Sequence, residues 1–134
     1  MELFDINVIA VVVATAVGMA LGALWYSPLL FGEKWMQSIG KTPDTLGSST
    51  LPMIGSVAAS LMTAIGVAII MSLTGVSSLS AGFGVGLTLG VLIVFPALLS
   101  DNLFCGWGNQ LLLIQSGYRV LSILLMSLVL VLLT

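Results

Sequence analysis

Five polar side chains in the second half of the chain are the strongest candidates for a functional site: Asp101, Asn102, Gln115, Tyr118 and Arg119. A carboxylate and a guanidinium can form an ion pair, and a guanidinium beside amide and phenol donors can also bind an anion. Arg119 is the exceptional member, because it interrupts an apolar run eight positions after Leu111. The chemistry that this set offers is therefore ion pairing or anion binding.

Catalysis by these residues is not expected. The chain has no histidine, Cys105 is its single cysteine, and its five acidic residues lie in predicted loops or near predicted helix ends. A metal centre usually needs a cluster of His, Cys or carboxylate ligands, and the serines have no neighbouring base to activate one of them. We therefore predict no enzyme, no metal and no other cofactor. The net charge of −2 suggests no nucleic-acid partner.

The composition identifies lipid as the solvent for most of the chain. Hydrophobic residues make up 59% of the 134 residues and charged residues 6%, whereas an ordinary soluble domain carries about 25% charge. Four apolar runs of about 20 residues are each long enough to cross a hydrocarbon core of roughly 30 Å as a helix. The predicted fold is an all-α integral membrane bundle, a single domain over 1–134. Its helices are expected over 6–27, 52–74, 79–100 and 110–133.

The only long loop begins with an aromatic-rich junction, GALWYSPLLFGEKWM. Pro28 favours the end of the first helix, because proline lacks an N–H donor and disfavours α conformation in the preceding residue. Phe31, Trp35 and Ile39 follow at helical spacing, which predicts a short helix on the membrane surface over 29–40. A ligand lid or a docking element is the alternative function for this segment. The expected interfacial anchors are Trp25, Tyr26, Phe31 and Trp35.

This junction resembles the signature of the domain-of-unknown-function 1761 family, small bacterial integral membrane proteins. The later segments DNLF, from Asp101 to Phe104, and SGYR, from Ser116 to Arg119, are similar to the second motif region of that family. The resemblance spans nearly the whole chain. It implies a four-helix membrane fold, and it assigns no activity and no catalytic or binding residue.

Small residues recur at helical spacing on three of the four predicted spans. They are Ala10, Ala14, Gly18 and Gly22 on the first, Ser56, Ser60, Ala64, Ala68 and Ser72 on the second, and Gly82, Gly86 and Gly90 on the third. Such stripes let helix backbones approach closely in lipid. We expect the first and third spans to pack together through their glycines, within or between subunits. The fourth span lacks a stripe and is expected to be more exposed to lipid. A pore lining or a hinge is the alternative function for the glycines.

A candidate internal repeat relates the two halves of the chain at an offset of 68 residues. Ala14, Gly18, Gly22 and Pro28 align with Gly82, Gly86, Gly90 and Pro96. Under a true duplication, Pro96 ends a helix and Ala97 to Phe104 form a second surface segment. Otherwise the matches are those that apolar sequence produces by chance, and Pro96 kinks the third span near its end.

The intramembrane arginine needs a partner, because a charge at helix-centre depth costs about 2.5–3.5 kcal/mol on insertion scales. We expect Arg119 to approach Asp101, or to hydrogen-bond helix carbonyls freed by Pro96, and so to tie two helices together. An anion site near the cytoplasmic mouth is the alternative.

These patterns favour an interaction protein, either a self-associating homo-oligomer or an accessory subunit of a larger membrane complex. The alternative is a small oligomeric channel or carrier with a polar path around Asp101 and Arg119. Lys34 and Lys41 lie in the first loop, and Arg119 is closest to the third loop. The positive-inside rule then predicts a cytoplasmic first loop and both termini outside. The expected location is the lipid bilayer of the bacterial inner membrane.

Overall fold

Helices make up most of the chain in the computed structural model, which describes residues 6–134. They are α1 (Val8–Trp25), α2 (Gly32–Ile39), α3 (Thr50–Thr74), α4 (Leu79–Cys105) and α5 (Asn109–Leu133). All except α2 are long and apolar enough to cross a membrane, where each span has to satisfy its backbone internally. The predicted all-α fold, with four spanning helices and a short helix after the first, is confirmed.

A compact corner joins α1 to α2 and sets the ends of both helices. The N–H of Phe31 donates to Trp25 O at 3.0 Å, and the N–H of Gly32 donates to Ser27 O at 3.0 Å. The first bond satisfies the carbonyl of the last residue of α1, which has no partner within the helix. As a result α1 ends at Trp25 rather than at residue 27, and α2 begins at Gly32 rather than at residue 29.

The third span, α4, continues through Pro96 to Cys105 instead of ending at residue 100. Its middle part, Thr88–Val94, is π-helical, and the N–H of Phe95 donates to Gly90 O, five residues back. The wider turn makes room for the proline ring, which in a regular α-helix would clash with the carbonyl four residues earlier. The surface segment at Ala97 to Phe104 that a true duplication implies is not formed, because these residues are part of α4.

The last helix, α5, lies at the centre of the bundle and packs against α1, α3 and α4. Within the bundle, 39% of the apolar stretch of α5 is buried, compared with 17–22% of the apolar stretches of the other three spans. The expectation that the fourth span is more exposed to lipid is therefore wrong. Two of its large buried side chains, Met126 and Tyr118, enter notches that the glycines of a neighbouring helix leave open.

The glycines of α1 provide these notches, and the glycines of α4 allow a close approach to α5. For each glycine, the distance from a Cβ built on its backbone to the nearest atom of α5 shows how close the approach is. It is 2.5 Å to Met126 Cε for Gly18, 3.0 Å to Tyr118 Oη for Gly22, 2.6 Å to Val131 Cγ2 for Gly82, 2.9 Å to Leu124 Cα for Gly86 and 3.1 Å to Val120 Cα for Gly90. Ala14 is fully buried on the same helix as Gly18. The expected pairing of the first and third spans is wrong within the described chain, since both glycine stripes face α5.

Candidate functional site

The aromatic residues of the junction form a packed cluster against α5 as well as suiting the membrane interface. Trp25 Nε1 donates to Ile114 O at 2.9 Å, and the Trp25 and Phe31 rings lie 4.8 Å apart. The Tyr26 ring meets Trp35 edge-on at 5.4 Å and Tyr118 at 5.6 Å. The four expected anchors therefore lie together, and two of them contact the central helix directly.

The short helix α2 is held against the start of α5 by polar contacts. Gln110 Nε2 donates to Lys34 O at 2.8 Å and to Ser38 Oγ at 3.0 Å. Gly32 sits so close to the corner that a Cβ there would lie 2.5 Å from Tyr26 O. Nothing in the sequence pointed to Gln110, because a polar residue in the first turn of a helix is ordinary. The orientation of α2 is thus set by contacts within the protein.

Tyr118 joins the junction to the interior of the bundle. Its side chain is buried, and its hydroxyl donates to Gly18 O at 3.0 Å. One neighbour of its ring is Tyr26, and another is Arg119, whose guanidinium carbon lies 5.2 Å from the ring centroid. The hydrogen bond fixes the ring that the guanidinium contacts, so Arg119 rests on a rigid support.

Arg119 is exposed, and the expected ion pair with Asp101 is not formed. The contact of Gly90 with Val120 and the hydrogen bond from Asn102 Nδ2 to Gly108 O, 3.1 Å, fix the antiparallel register of α4 and α5. In this register Asp101 lies near the hairpin end, roughly 15 Å along the helix axis from the level of Arg119. Among residues 6–134, no carboxylate lies within 4.0 Å of the guanidinium, and no α4 carbonyl accepts a hydrogen bond from it.

Asn102 has a structural role in the turn between α4 and α5. It is buried, its side chain holds Gly108 O, and its carbonyl accepts the N–H groups of Gly106 and Trp107 at 2.8 and 3.3 Å. Asp101 beside it is exposed. The structure therefore divides the five candidate residues: Asp101 and Asn102 lie at the hairpin end, whereas Gln115, Tyr118 and Arg119 lie within two turns of one another on α5.

The polar groups around Arg119 are donors rather than acids. Gln115 lies one helical turn before Arg119 and is half-buried. Burial raises the pKa of Tyr26, and the positive charge of Arg119 opposes that rise. The phenol therefore stays protonated at neutral pH. In the described part of the chain no three His, Cys, Asp or Glu residues are grouped as metal ligands would be.

An apolar groove lies between α3 and α4. It is lined by Thr63, Gly66 and Ile70 of α3, by Leu89 and Ile93 of α4, and by Ile123 of α5. Ile123 follows Arg119 by one helical turn, so the two share a face of α5. The groove therefore comes within one helical turn of Arg119 along α5.

Comparison with known proteins places the chain in a family. A family model described as protein of unknown function (DUF1761) matches residues 9–131. No curated protein and no solved structure matches the chain. Because the family match covers the junction, nearly all of the four spans and the donor group on α5, this chain belongs to the DUF1761 family.

Proposed function

We propose that this protein is a non-enzymatic membrane protein that self-associates through the first half of α3. The observation that carries the proposal is that every residue over 50–59 is exposed, although these are the first residues of a spanning helix of 25 residues. The second half of α3 is packed, from Ser60 to Met71, and Ser60 Oγ donates to Thr15 O at 3.2 Å. About 15 Å of helix is thus exposed in the described chain.

The exposed part of α3 carries small residues. A surface that faces only lipid does not require them, because no other helix has to come close. Gly55 and Ala59 are four residues apart and therefore lie on one side of the helix. A Cβ built on Gly55 meets no atom within 4 Å, so this glycine makes no close approach inside the subunit. Glycine lowers helix stability by about 0.8–1.0 kcal/mol relative to alanine. A second copy that packs its α3 against Gly55 offsets that cost, because small residues permit close helix approach in lipid.

Subunit counting in lipid tests this proposal. Wild-type protein, labelled at Cys105 and reconstituted sparsely into liposomes, is expected to bleach in two or more steps per particle. Gly55→Leu and Ala59→Leu are expected to bleach mostly in one step. Gly84→Leu is the matched control, since Gly84 on α4 also faces open space. A single step for the wild type would overturn self-association, and a different polypeptide that co-purifies with single copies would point instead to an accessory subunit.

The proposal includes a location, the bacterial inner membrane, with the α1–α3 connection in the cytoplasm and both termini outside. Lys34 and Lys41 lie in that connection, and the contact of Tyr118 with Tyr26 brings Arg119 to the same end of the bundle. Concentration of basic residues at one end supports this orientation. A channel path through Asp101 and Arg119 receives less support, because the two residues lie far apart along the hairpin.

The exposed Cys105 is a natural reporter of this orientation, because it lies at the same end of the bundle as the α1–α2 corner. An impermeant maleimide is expected to spare it in intact cells and to label it in inverted vesicles. As a control, Ser77→Cys in a Cys105→Ser background places a thiol in the exposed α3–α4 turn at the other end. That thiol is expected to react in intact cells. The reverse pattern for the two positions would overturn the orientation.

A further inference from the structure

We propose that Arg119, together with Gln115 and Tyr26, binds the phosphate of an anionic phospholipid whose acyl chain lies in the groove between α3 and α4. This site does not depend on self-association, since it lies within one subunit.

The first step of the argument is the depth of Arg119 in the membrane. Trp25 and Tyr26 end α1 and suit the headgroup level. Tyr118 packs against Gly22 and against the Tyr26 ring, so Arg119 lies beside the last turn of α1. A guanidinium at this level faces lipid phosphates rather than the middle of the acyl chains.

The second step is the missing protein anion. Arg119 has no carboxylate partner within residues 6–134, and it makes no hydrogen bond there. One face of its guanidinium contacts the Tyr118 ring, which leaves the N–H groups at its edge free. A guanidinium presents five N–H donors and commonly binds phosphate oxygens through two parallel hydrogen bonds. Because Tyr118 is itself held by Gly18 O at 3.0 Å, little order is lost when a phosphate binds.

The third step is that further donors surround the guanidinium. Gln115 lies one helical turn before Arg119 on the same side of α5. The Tyr26 ring lies 5.6 Å from the Tyr118 ring, which the Arg119 guanidinium also contacts. Neither the Gln115 amide nor the Tyr26 hydroxyl has a hydrogen-bond partner among the side chains and backbone that the structure describes. A cation with an amide and a phenol, all without protein acceptors, is a set of groups that a phosphate satisfies.

The fourth step identifies a phospholipid as the source of the phosphate. The chain has a net charge of −2, so its overall field does not concentrate free anions. The face of α5 that carries Arg119 leads within one turn to Ile123 and then into the apolar groove with Leu89 and Ile93. A phospholipid whose headgroup binds Arg119 can therefore place an acyl chain in this groove, which is apolar as the acyl chain is. Basic pockets between spanning helices bind anionic headgroups in this way.

Native mass spectrometry of the purified protein tests the site. The wild type, given equal amounts of phosphatidylglycerol and phosphatidylcholine, is expected to retain phosphatidylglycerol preferentially. Arg119→Gln is expected to reduce this preference about fivefold or more, as loss of one basic contact does. Lys41→Gln is the matched control, because it removes the same charge from an exposed loop position. Its preference is expected to stay close to that of the wild type.

The remaining outcomes decide against the proposal. Equal retention of the two lipids by the wild type, or equal losses in Arg119→Gln and Lys41→Gln, would refute the site. If inorganic phosphate displaces phosphatidylglycerol and raises the thermal stability of delipidated wild type but not of Arg119→Gln, the ligand is a free anion. A second pair of variants tests the site if Arg119→Gln does not fold. These variants are Tyr26→Phe and Gln115→Leu. At least one of these is expected to lower the preference twofold or more, and no change in either would refute the site.

Discussion

The close contact between α4 and α5 predicts that Gly86→Ala destabilises the bundle. The added methyl group would lie 2.9 Å from Leu124 Cα and 2.9 Å from Ser127 Oγ, whereas ordinary contacts lie at 3.4–4 Å. Ser127 can rotate away, but the backbone of Leu124 cannot. The helices have to separate by a few tenths of an ångström, which also loosens the contacts at Gly82 and Gly90. Overpacking of this kind costs about 1–3 kcal/mol.

Gly84→Ala isolates this clash from the general effect of replacing glycine. It lies two residues away in the same helix, and a Cβ there meets no atom within 4 Å. Both variants gain about 0.8–1.0 kcal/mol of helix propensity, so their difference measures the clash alone. Reversible unfolding in mixed detergent micelles, followed by tryptophan fluorescence, is expected to place Gly86→Ala about 1–3 kcal/mol below Gly84→Ala. Equal stabilities would refute the register of α4 against α5.

Three further substitutions probe the junction. Tyr118→Phe removes the hydrogen bond to Gly18 O and is expected to cost about 0.5–1.5 kcal/mol in the same unfolding assay; a wild-type stability would mean that the bond contributes nothing. Gly32→Ala places a methyl group against Tyr26 O and is expected to cost about 1–3 kcal/mol, with a shifted tryptophan emission as its sign. Gln110→Ala frees α2 from α5, and limited proteolysis is expected to cut between α1 and α3 faster than in the wild type, whereas an unchanged rate would show that lipid alone holds α2.

The number and type of the helices were predictable because lipid imposes a simple rule. A segment that satisfies its own backbone and is apolar for about 20 residues becomes a spanning helix. The ends were harder to predict, because they depend on local geometry. Trp25 ends α1 through a corner of backbone hydrogen bonds, and Pro96 leaves α4 intact because a π-helical stretch precedes it. Neither feature has a hydropathy signal.

The partners of the glycine stripes could not be predicted from the stripes themselves. A glycine creates a notch, and a notch accepts a large side chain as well as another glycine. Here Gly18 receives Met126 and Gly22 receives Tyr118, so the helix without a stripe became the central one. A prediction that pairs one small-residue stripe with another assumes that both helices present flat surfaces. The structure instead pairs hollows on α1 with protruding side chains of α5, and it brings the backbone of α5 close to Gly86 and Gly90 of α4.

The position of Arg119 follows from the unequal lengths of the helices. α1 has 18 residues, about 27 Å, which is close to the thickness of a hydrocarbon core. α4 and α5 have 27 and 25 residues, and their hairpin continues past the end of α1, where Trp107 is half exposed and suits the interface. A residue ten positions into α5 therefore lies beside the last turn of α1 and not deep in the membrane. At that level a charge needs no acidic partner, because lipid phosphates can serve as one.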